Sequence, residues 1–238
     1  MFRGPGKNEG IAAITTAVGT PDEEDLTGGD MINVALGASQ PFARYGERDR
    51  VPPSDYRTAP QPEARPLEVQ GHLAVRPGYQ RIDIGAERVR QGRMGSIRLP
   101  LDVPDFEKDR FAMSGVIVNA AEAAAPMPPA LAAIIPFPPT TRRSFAANEQ
   151  LRVFLQVYVT GPLPLMPVTI TARVKDGSGA SVFEENRTLT PEHFDRRGVA
   201  SYRLEPRLAA LAPGPYLLSI DAKRDLITLT RDVRFEIR

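Results

Sequence analysis

The chain has 238 residues, with 30 Lys+Arg against 29 Asp+Glu and a formal net charge of +1. That balance argues against electrostatic binding to nucleic acid and against adhesion to an anionic membrane. Cysteine is absent, which excludes a disulfide framework, a thiolate nucleophile and a cysteine zinc site.

Hydrophobic residues make up 42% and charged residues 25%, enough for a packed core. The length allows one large domain or two of roughly 100 residues. The 24 prolines and 19 glycines are spread along the chain, which suits short strands joined by turns.

Residues 1–30 are expected to form a flexible N-terminal segment. Met1–Gly10 carries glycine, proline and charge where a signal peptide would need an apolar run. Ile11–Val18 is expected to be a short helix, and Asp22-Glu23-Glu24-Asp25 an acidic loop. No stretch reaches the roughly 20 apolar residues of a membrane-spanning helix, so membrane insertion is not expected.

A first β-sandwich is expected over 31–104. Ile32, Val34 and Leu36 alternate as in a strand, and 37–66 is polar and proline-rich, reading as a linker. Alternation returns at Leu67, Val69, Leu73 and Val75, then at Ile82 and Ile84, then at Ile97, Leu99, Leu101 and Val103. Turns fall at Pro77-Gly78 and Gly92-Arg93. Period-2 patterning of this kind marks antiparallel strands with one buried face.

A second β-sandwich is expected over 105–238. Phe111–Val118 reads as one strand. The Ala/Pro segment 120–139 reads as an extended loop crossing the surface. Leu151, Val153, Leu155, Val157 and Val159 alternate within Phe145–Thr160, and Val168–Val174 follows. Asp176-Gly177 marks a hairpin turn, and Ser181–Leu189, Val199–Leu204, Tyr216–Ala222 and Ile227–Ile237 complete the set. The fold class is therefore mainly β, with two tandem immunoglobulin-like or fibronectin-like sandwiches, the first incomplete or loop-rich.

An internal echo supports two units. Pro77-Gly78-Tyr79 leads into Ile82-Asp83-Ile84, and Pro213-Gly214-Pro215-Tyr216 leads into Ser219-Ile220-Asp221. The same closing hairpin is expected twice, each tyrosine packing at a sandwich edge with its hydroxyl on the backbone.

Five blocks carry a family resemblance: Leu99–Phe106, Met113–Val118, Leu151–Tyr158, Leu211–Leu218 and Arg231–Ile237. In this order, over about residues 67–238, they resemble the region downstream of the A domain in bacterial von Willebrand factor A-domain-related proteins. The resemblance implies β-sandwich modules, a periplasmic or extracellular location, and a role in adhesion or protein interaction. The family pattern places a leader and an A domain before such blocks; residues 1–66 are expected to be neither, and they match none of its blocks.

No catalytic constellation is legible. Asp176-Gly177-Ser178-Gly179-Ala180-Ser181 approaches the Asp-x-Ser-x-Ser cation motif but has Ala180 where a hydroxyl is required, so a hairpin is expected. His72 and His193 lie far apart, and Thr190-Pro191 is expected to open a helical turn at His193. Gly4-Pro5-Gly6-Lys7 lacks the upstream glycine of a phosphate loop. The carboxylate pairs Asp22/Glu23 and Glu184/Glu185 are adjacent, and neighbours along a strand point to opposite faces. Arg142-Arg143, Arg196-Arg197 and Arg81/Arg88/Arg90/Arg93 lack interleaved aromatic rings, so nucleic-acid binding is not expected. Asn186-Arg187-Thr188 fits a glycosylation acceptor but is expected to be fortuitous.

The sequence therefore reads as a non-enzymatic protein-interaction or scaffolding module with an unidentified protein partner. No catalytic, cofactor-binding or metal-binding residue is expected, and no cofactor. Two alternatives are a structural spacer left from a truncated exported protein and a carbohydrate-binding accessory module. The lack of tryptophan makes the last unattractive.

Overall fold

The alternating segments become strands because each can bury one face and leave the other to water. The computed structural model describes residues 1–6, 9–18, 32–39, 49–50, 54–56, 67–88, 92–120, 127–161 and 166–238. The first half holds β1 (Phe2–Arg3), β2 (Gly10–Val18), β3 (Ile32–Ser39), β4 (Asp49–Arg50), β5 (Ser54–Tyr56), β6 (Leu67–Val75), β7 (Gly78–Arg88) and β8 (Arg93–Val103). The second holds β9 (Phe111–Met113), β10 (Ile117–Asn119), β11 (Ser144–Phe145), β12 (Arg152–Val159), β13 (Val168–Asp176), β14 (Ser181–Leu189), β15 (Val199–Leu204), β16 (Gly214–Arg224) and β17 (Ile227–Ile237).

These strands form four sheets. Sheet I runs β1-β2-β6, and sheet II runs β4-β3-β7-β8 with β5 also on β3. Ala12, Val69, Leu73 and Val75 of sheet I meet Val34, Ile82, Ile84 and Val103 of sheet II in one core. Sheet III runs β10-β12-β15 with β9 also on β12, and sheet IV runs β11-β17-β16-β13-β14. Val153, Leu155, Val157 and Tyr202 of sheet III face Val168, Ile170, Leu218 and Ile220 of sheet IV in a larger core. The chain is thus a mainly β protein of two β-sandwiches.

Expectations are corrected in three regions, the first being residues 1–66. Ile11–Val18 is strand β2 rather than a helix, paired along its whole length with β6 from Gly10↔Val75 to Val18↔Leu67. Its Ala and Thr side chains carried no decisive helical period, and the pairing with β6 decides. Where they are described, residues 1–18 therefore belong to the first sandwich rather than to a flexible segment; 19–31, with the acidic loop, lie outside the described residues. Of the linker expected at 37–66, residues 37–39 extend β3 and short strands occupy 49–50 and 54–56.

The second correction concerns Ala120–Pro139. Residues 121–126 lie outside the description, but the rest does not simply cross the surface. Pro129–Ala132 forms one helical turn, α1, with proline at its first position, and Leu131, Ile135 and Phe137 are buried. The third concerns Phe111–Val118, which is two short strands. β9 pairs Val157↔Met113 and β10 pairs Phe154↔Ile117, so one residue is inserted between them. The Ser114 hydroxyl oxygen accepts from the Gln156 N–H at 2.9 Å, replacing the lost ladder bond.

β12 is buried on both faces, and this joins the sandwiches. Its inner side chains enter the second core, while Phe154 and Tyr158 point the other way and are also buried. Phe154 packs with Phe2, Ile11, Leu131, Ile135 and Phe137. Phe106 lies against Tyr158 with ring centroids 4.6 Å apart. Polar bonds fix the joint. Gln70 donates to the Pro139 carbonyl at 2.7 Å, and Glu68 accepts from the Thr140 hydroxyl at 2.8 Å and the Thr141 N–H at 2.6 Å.

Candidate interaction surface

The residues weighed for chemistry are consumed by local structure. The Asp176 carboxylate accepts from Ser178 N, Ser178 Oγ and Ala180 N at 2.9, 2.6 and 3.0 Å. Those bonds, the Ser178 hydroxyl first, hold its pKa below the usual carboxylate range. The left-handed residue of this turn is Gly179 (φ 86°) rather than Gly177. The segment is a hairpin turn between β13 and β14, as its spacing predicts.

His193 sits in a single 3-10 turn, Pro191–His193, where its Nδ1 accepts from the Thr190 N–H at 3.2 Å. His72 lies on β6 opposite Ala13. Gly4 and Gly6 wrap over Glu9, whose Oε2 accepts from Gly6 N at 2.8 Å; the loop encloses the chain's own carboxylate. Glu184 and Glu185 part to opposite faces. Glu184 pairs with Arg173 at 3.1 Å, and Glu185 accepts the Tyr202 hydroxyl across the sandwich at 2.9 Å. Asp22 and Glu23 lie outside the described residues.

Arg142, Arg143, Arg197, Arg81 and Arg98 are likewise engaged, while Arg90 lies outside the described residues. Arg142 grips both Glu149 oxygens at 2.9 Å. Arg143 donates to the Thr140 carbonyl at 2.9 Å, and Arg197 to the Gly4 carbonyl at 2.7 Å. Arg81 and Arg98 both approach Asp83, at 3.5 and 2.7 Å. The Arg98 bond, more than any other cause, holds the Asp83 carboxyl below its ordinary range. Among the described residues, no group of three His, Asp or Glu side chains is placed to hold a metal ion. No helix there is long and apolar enough to cross a membrane.

What remains is a surface. β7 and β8 pair along eleven residues, from Gly78↔Val103 to Arg88↔Arg93. Ile82 and Ile84 point into the first core, so their partners Leu99 and Ile97 share that inward face. Yet Ile97 is 53% and Leu99 47% exposed. β8 is the edge of sheet II, and no described residue closes over these two side chains.

The alternation at Ile97, Leu99, Leu101 and Val103 predicts one buried face along the whole of β8. Only Val103 is buried, with Leu101 partly covered. Pro100 lies within β8 and has no N–H to donate, so it occupies a position whose nitrogen faces away from β7. The free edge is thereby usable from Met94 to Arg98 and interrupted beyond.

No protein-family model matches this chain. No curated protein matches it either. Among solved structures it is similar to a putative beta-galactosidase from Bacteroides fragilis, with TM-score 0.36 and 10% identity over 99% of this chain and 33% of that one. It is also similar to dimeric latent PorU from Porphyromonas gingivalis, with TM-score 0.37 and 10% identity over 97% of this chain and 18% of that one. A third is a glycosyl hydrolase family 2 member from Bacteroides cellulosilyticus, with TM-score 0.33 and 11% identity over 97% of this chain and 27% of that one. The chain spans about a third or less of the length of each.

The polar counterpart of the β8 edge is the outer face of sheet IV. Arg173 bridges Glu184 and Asp221 at 3.1 and 3.0 Å, Asp221 accepts from Thr230 at 2.6 Å, and Ser219 donates to Asp232 at 2.6 Å. Its groups satisfy one another, as a face exposed to water requires.

Proposed function

We propose that this chain is a non-enzymatic protein-interaction or scaffolding module that receives an extended protein segment along β8. The single observation that carries the reading is the pair Ile97 and Leu99, apolar, turned to the core side and about half exposed. A strand laid against Met94–Arg98 gains main-chain hydrogen bonds and covers these two side chains with its own alternate residues. Ile97 and Leu99 lie two residues apart on one face, so the segment that fits best carries apolar residues at alternate positions.

The blocks Leu99–Phe106, Met113–Val118 and Leu151–Tyr158 support placing such a module among bacterial adhesion-type proteins, downstream of a von Willebrand factor A domain and outside the cytoplasm. A random peptide display library panned on the intact chain tests the binding. Enrichment of peptides with alternating apolar residues, abolished by Ile97→Lys with Leu99→Lys, supports it. Enrichment unaffected by those changes, or none, overturns it.

A spacer reading has its own support in the joint between the sandwiches, where Phe2 and Phe154 stack with centroids 6.3 Å apart. A joint closed by apolar and polar contacts transmits orientation, and an empty peptide selection would favour this role. A carbohydrate-binding reading has less: among the described residues Tyr79 is the one aromatic ring more than half exposed, and a lone ring makes no stacking platform.

A further inference from the structure

Sheet IV ends on β14, and among the described residues nothing pairs with the outer side of that strand. β14 reads Ser181-Val182-Phe183-Glu184-Glu185-Asn186-Arg187-Thr188-Leu189 and contains no proline. Phe183, Glu185, Arg187 and Leu189 pair with Val174, Ala172, Ile170 and Val168, all fully buried core residues, and so face inward. Glu184, Asn186 and Thr188 face outward. A long edge strand of this kind is a template for another strand unless something blocks it.

We infer that a second copy of this chain occupies this edge. The two β14 strands run antiparallel about a two-fold axis through Asn186 and join two five-stranded sheets into one. The register follows from charge. With the axis at Asn186, Glu185 of each copy faces Arg187 of the other, and Phe183 of each faces Leu189 of the other. Directly opposed residues in an antiparallel pair interact, and the two Glu185–Arg187 pairs are favourable; Leu189 is already buried in its own core, so the charge pairs set the register.

Moving the axis by one residue removes both pairs. At Glu185 two carboxylates meet on the axis and Phe183 faces Arg187. At Arg187 two guanidinium groups meet and Glu185 faces Leu189. The β8 edge does not allow the equivalent match. On β8, an axis at Arg98 sets Arg98 against its own copy and Ser96 against Pro100, which has no N–H to give. The two edges are therefore different in kind, and this self-pairing stands apart from the proposal for β8. A strand pair alone buries less than a standard interface of about 1,200–2,000 Å², so the dimer is concentration-dependent.

The absence of cysteine makes a single introduced thiol a clean reporter. Asn186→Cys places two sulfurs on the axis, where opposed Cα atoms lie about 4.5–5.5 Å apart, within disulfide range. In Thr188→Cys the two positions lie about 14 Å apart, out of range. Under mild oxidation the full chain with Asn186→Cys is expected to form a covalent dimer of twice the 26.0 kDa chain mass, and Thr188→Cys is not. Sedimentation of the unmodified chain is expected to show the same doubling as concentration rises. Arg187→Glu and Glu185→Arg should each abolish it alone, and an equimolar mixture should restore it, because each copy then meets its opposite charge. Asn186→Cys remaining monomeric, or cross-linking no better than Thr188→Cys, overturns the proposal; so does a mixture that fails to associate while both variants are folded.

Discussion

Gln80 and Tyr216 hold the same place in the two sandwiches. Each is the second residue after a left-handed glycine, Gly78 (φ 98°) or Gly214 (φ 146°), at the start of an eleven-residue strand. Each donates its side-chain hydrogen to the carbonyl four residues earlier: Gln80 to Arg76 at 2.9 Å and Tyr216 to Ala212 at 2.7 Å. The repeated sequence suggested Tyr79 as the counterpart of Tyr216, but Tyr79 is 54% exposed on the opposite face. The inserted Pro215 shifts the second tyrosine by one residue, and a one-residue shift in a strand changes the face.

Removing either bond should therefore loosen its own hairpin. Tyr216→Phe keeps the ring stacked on Phe235 and deletes only the hydroxyl. It should cost about 1 kcal/mol. Urea unfolding of the variant checks this, with an unchanged midpoint counting against the role.

Phe2→Ala should be far more damaging. Phe2 is fully buried and stacks on Phe154 in the joint between the sandwiches. Truncating a buried phenylalanine costs about 3–5 kcal/mol. Calorimetry should also show the single unfolding transition split, because the deleted ring couples the sandwiches. A small change in a still-single transition would mean that other contacts carry the coupling.

Glu68→Ala should weaken the same joint from its polar side. Its Oε1 accepts from Thr140 Oγ1, Thr141 N and Thr141 Oγ1 at 2.8, 2.6 and 2.6 Å. Leaving those donors unmatched should cost about 1–3 kcal/mol. Amide exchange should rise selectively at Thr141.

Stability should rise with pH across a defined window. The Met1 α-amine is pushed down from 8.0 to about 6, first by burial and second by the Arg231 cation. Between those values the unfolded chain holds a proton that the folded chain releases, so raising the pH favours the folded state, and the gain is complete above 8. A displacement of this size corresponds to about 2–3 kcal/mol. Thermal melts across pH 5–9 check the trend. Isotope-edited titration of the α-amine checks its source, and an ordinary midpoint would remove the explanation.

Calcium or magnesium should leave the melting temperature unchanged. All three bonds to Asp176 Oδ1 come from within its own turn, and Asp176→Ala should lower the melting temperature without creating any metal dependence. A cation-induced rise that Asp176→Ala abolishes would reinstate a binding site there.

The fold class was legible because burial on one face of a strand writes itself into every second residue. Ile97, Leu99, Leu101 and Val103, or Val168, Ile170, Ala172 and Val174, declare strands without reference to anything distant. The turns at Gly78 and Asp176 were equally legible, since their chemistry is contained in a few neighbouring residues. Partnership was not legible. Gly10–Val18 is a strand only because β6 lies beside it, and Leu131, Ile135 and Phe137 are buried only because Phe154 and Phe2 meet them. The candidate surface was hidden for the same reason: Ile97 and Val103 carry the same alternation, and exposure differs because the opposing sheet covers one and not the other. Local pattern determines which residues seek burial. Whether they find it is decided by segments far away in the chain, and that balance exists only once the sheets have packed.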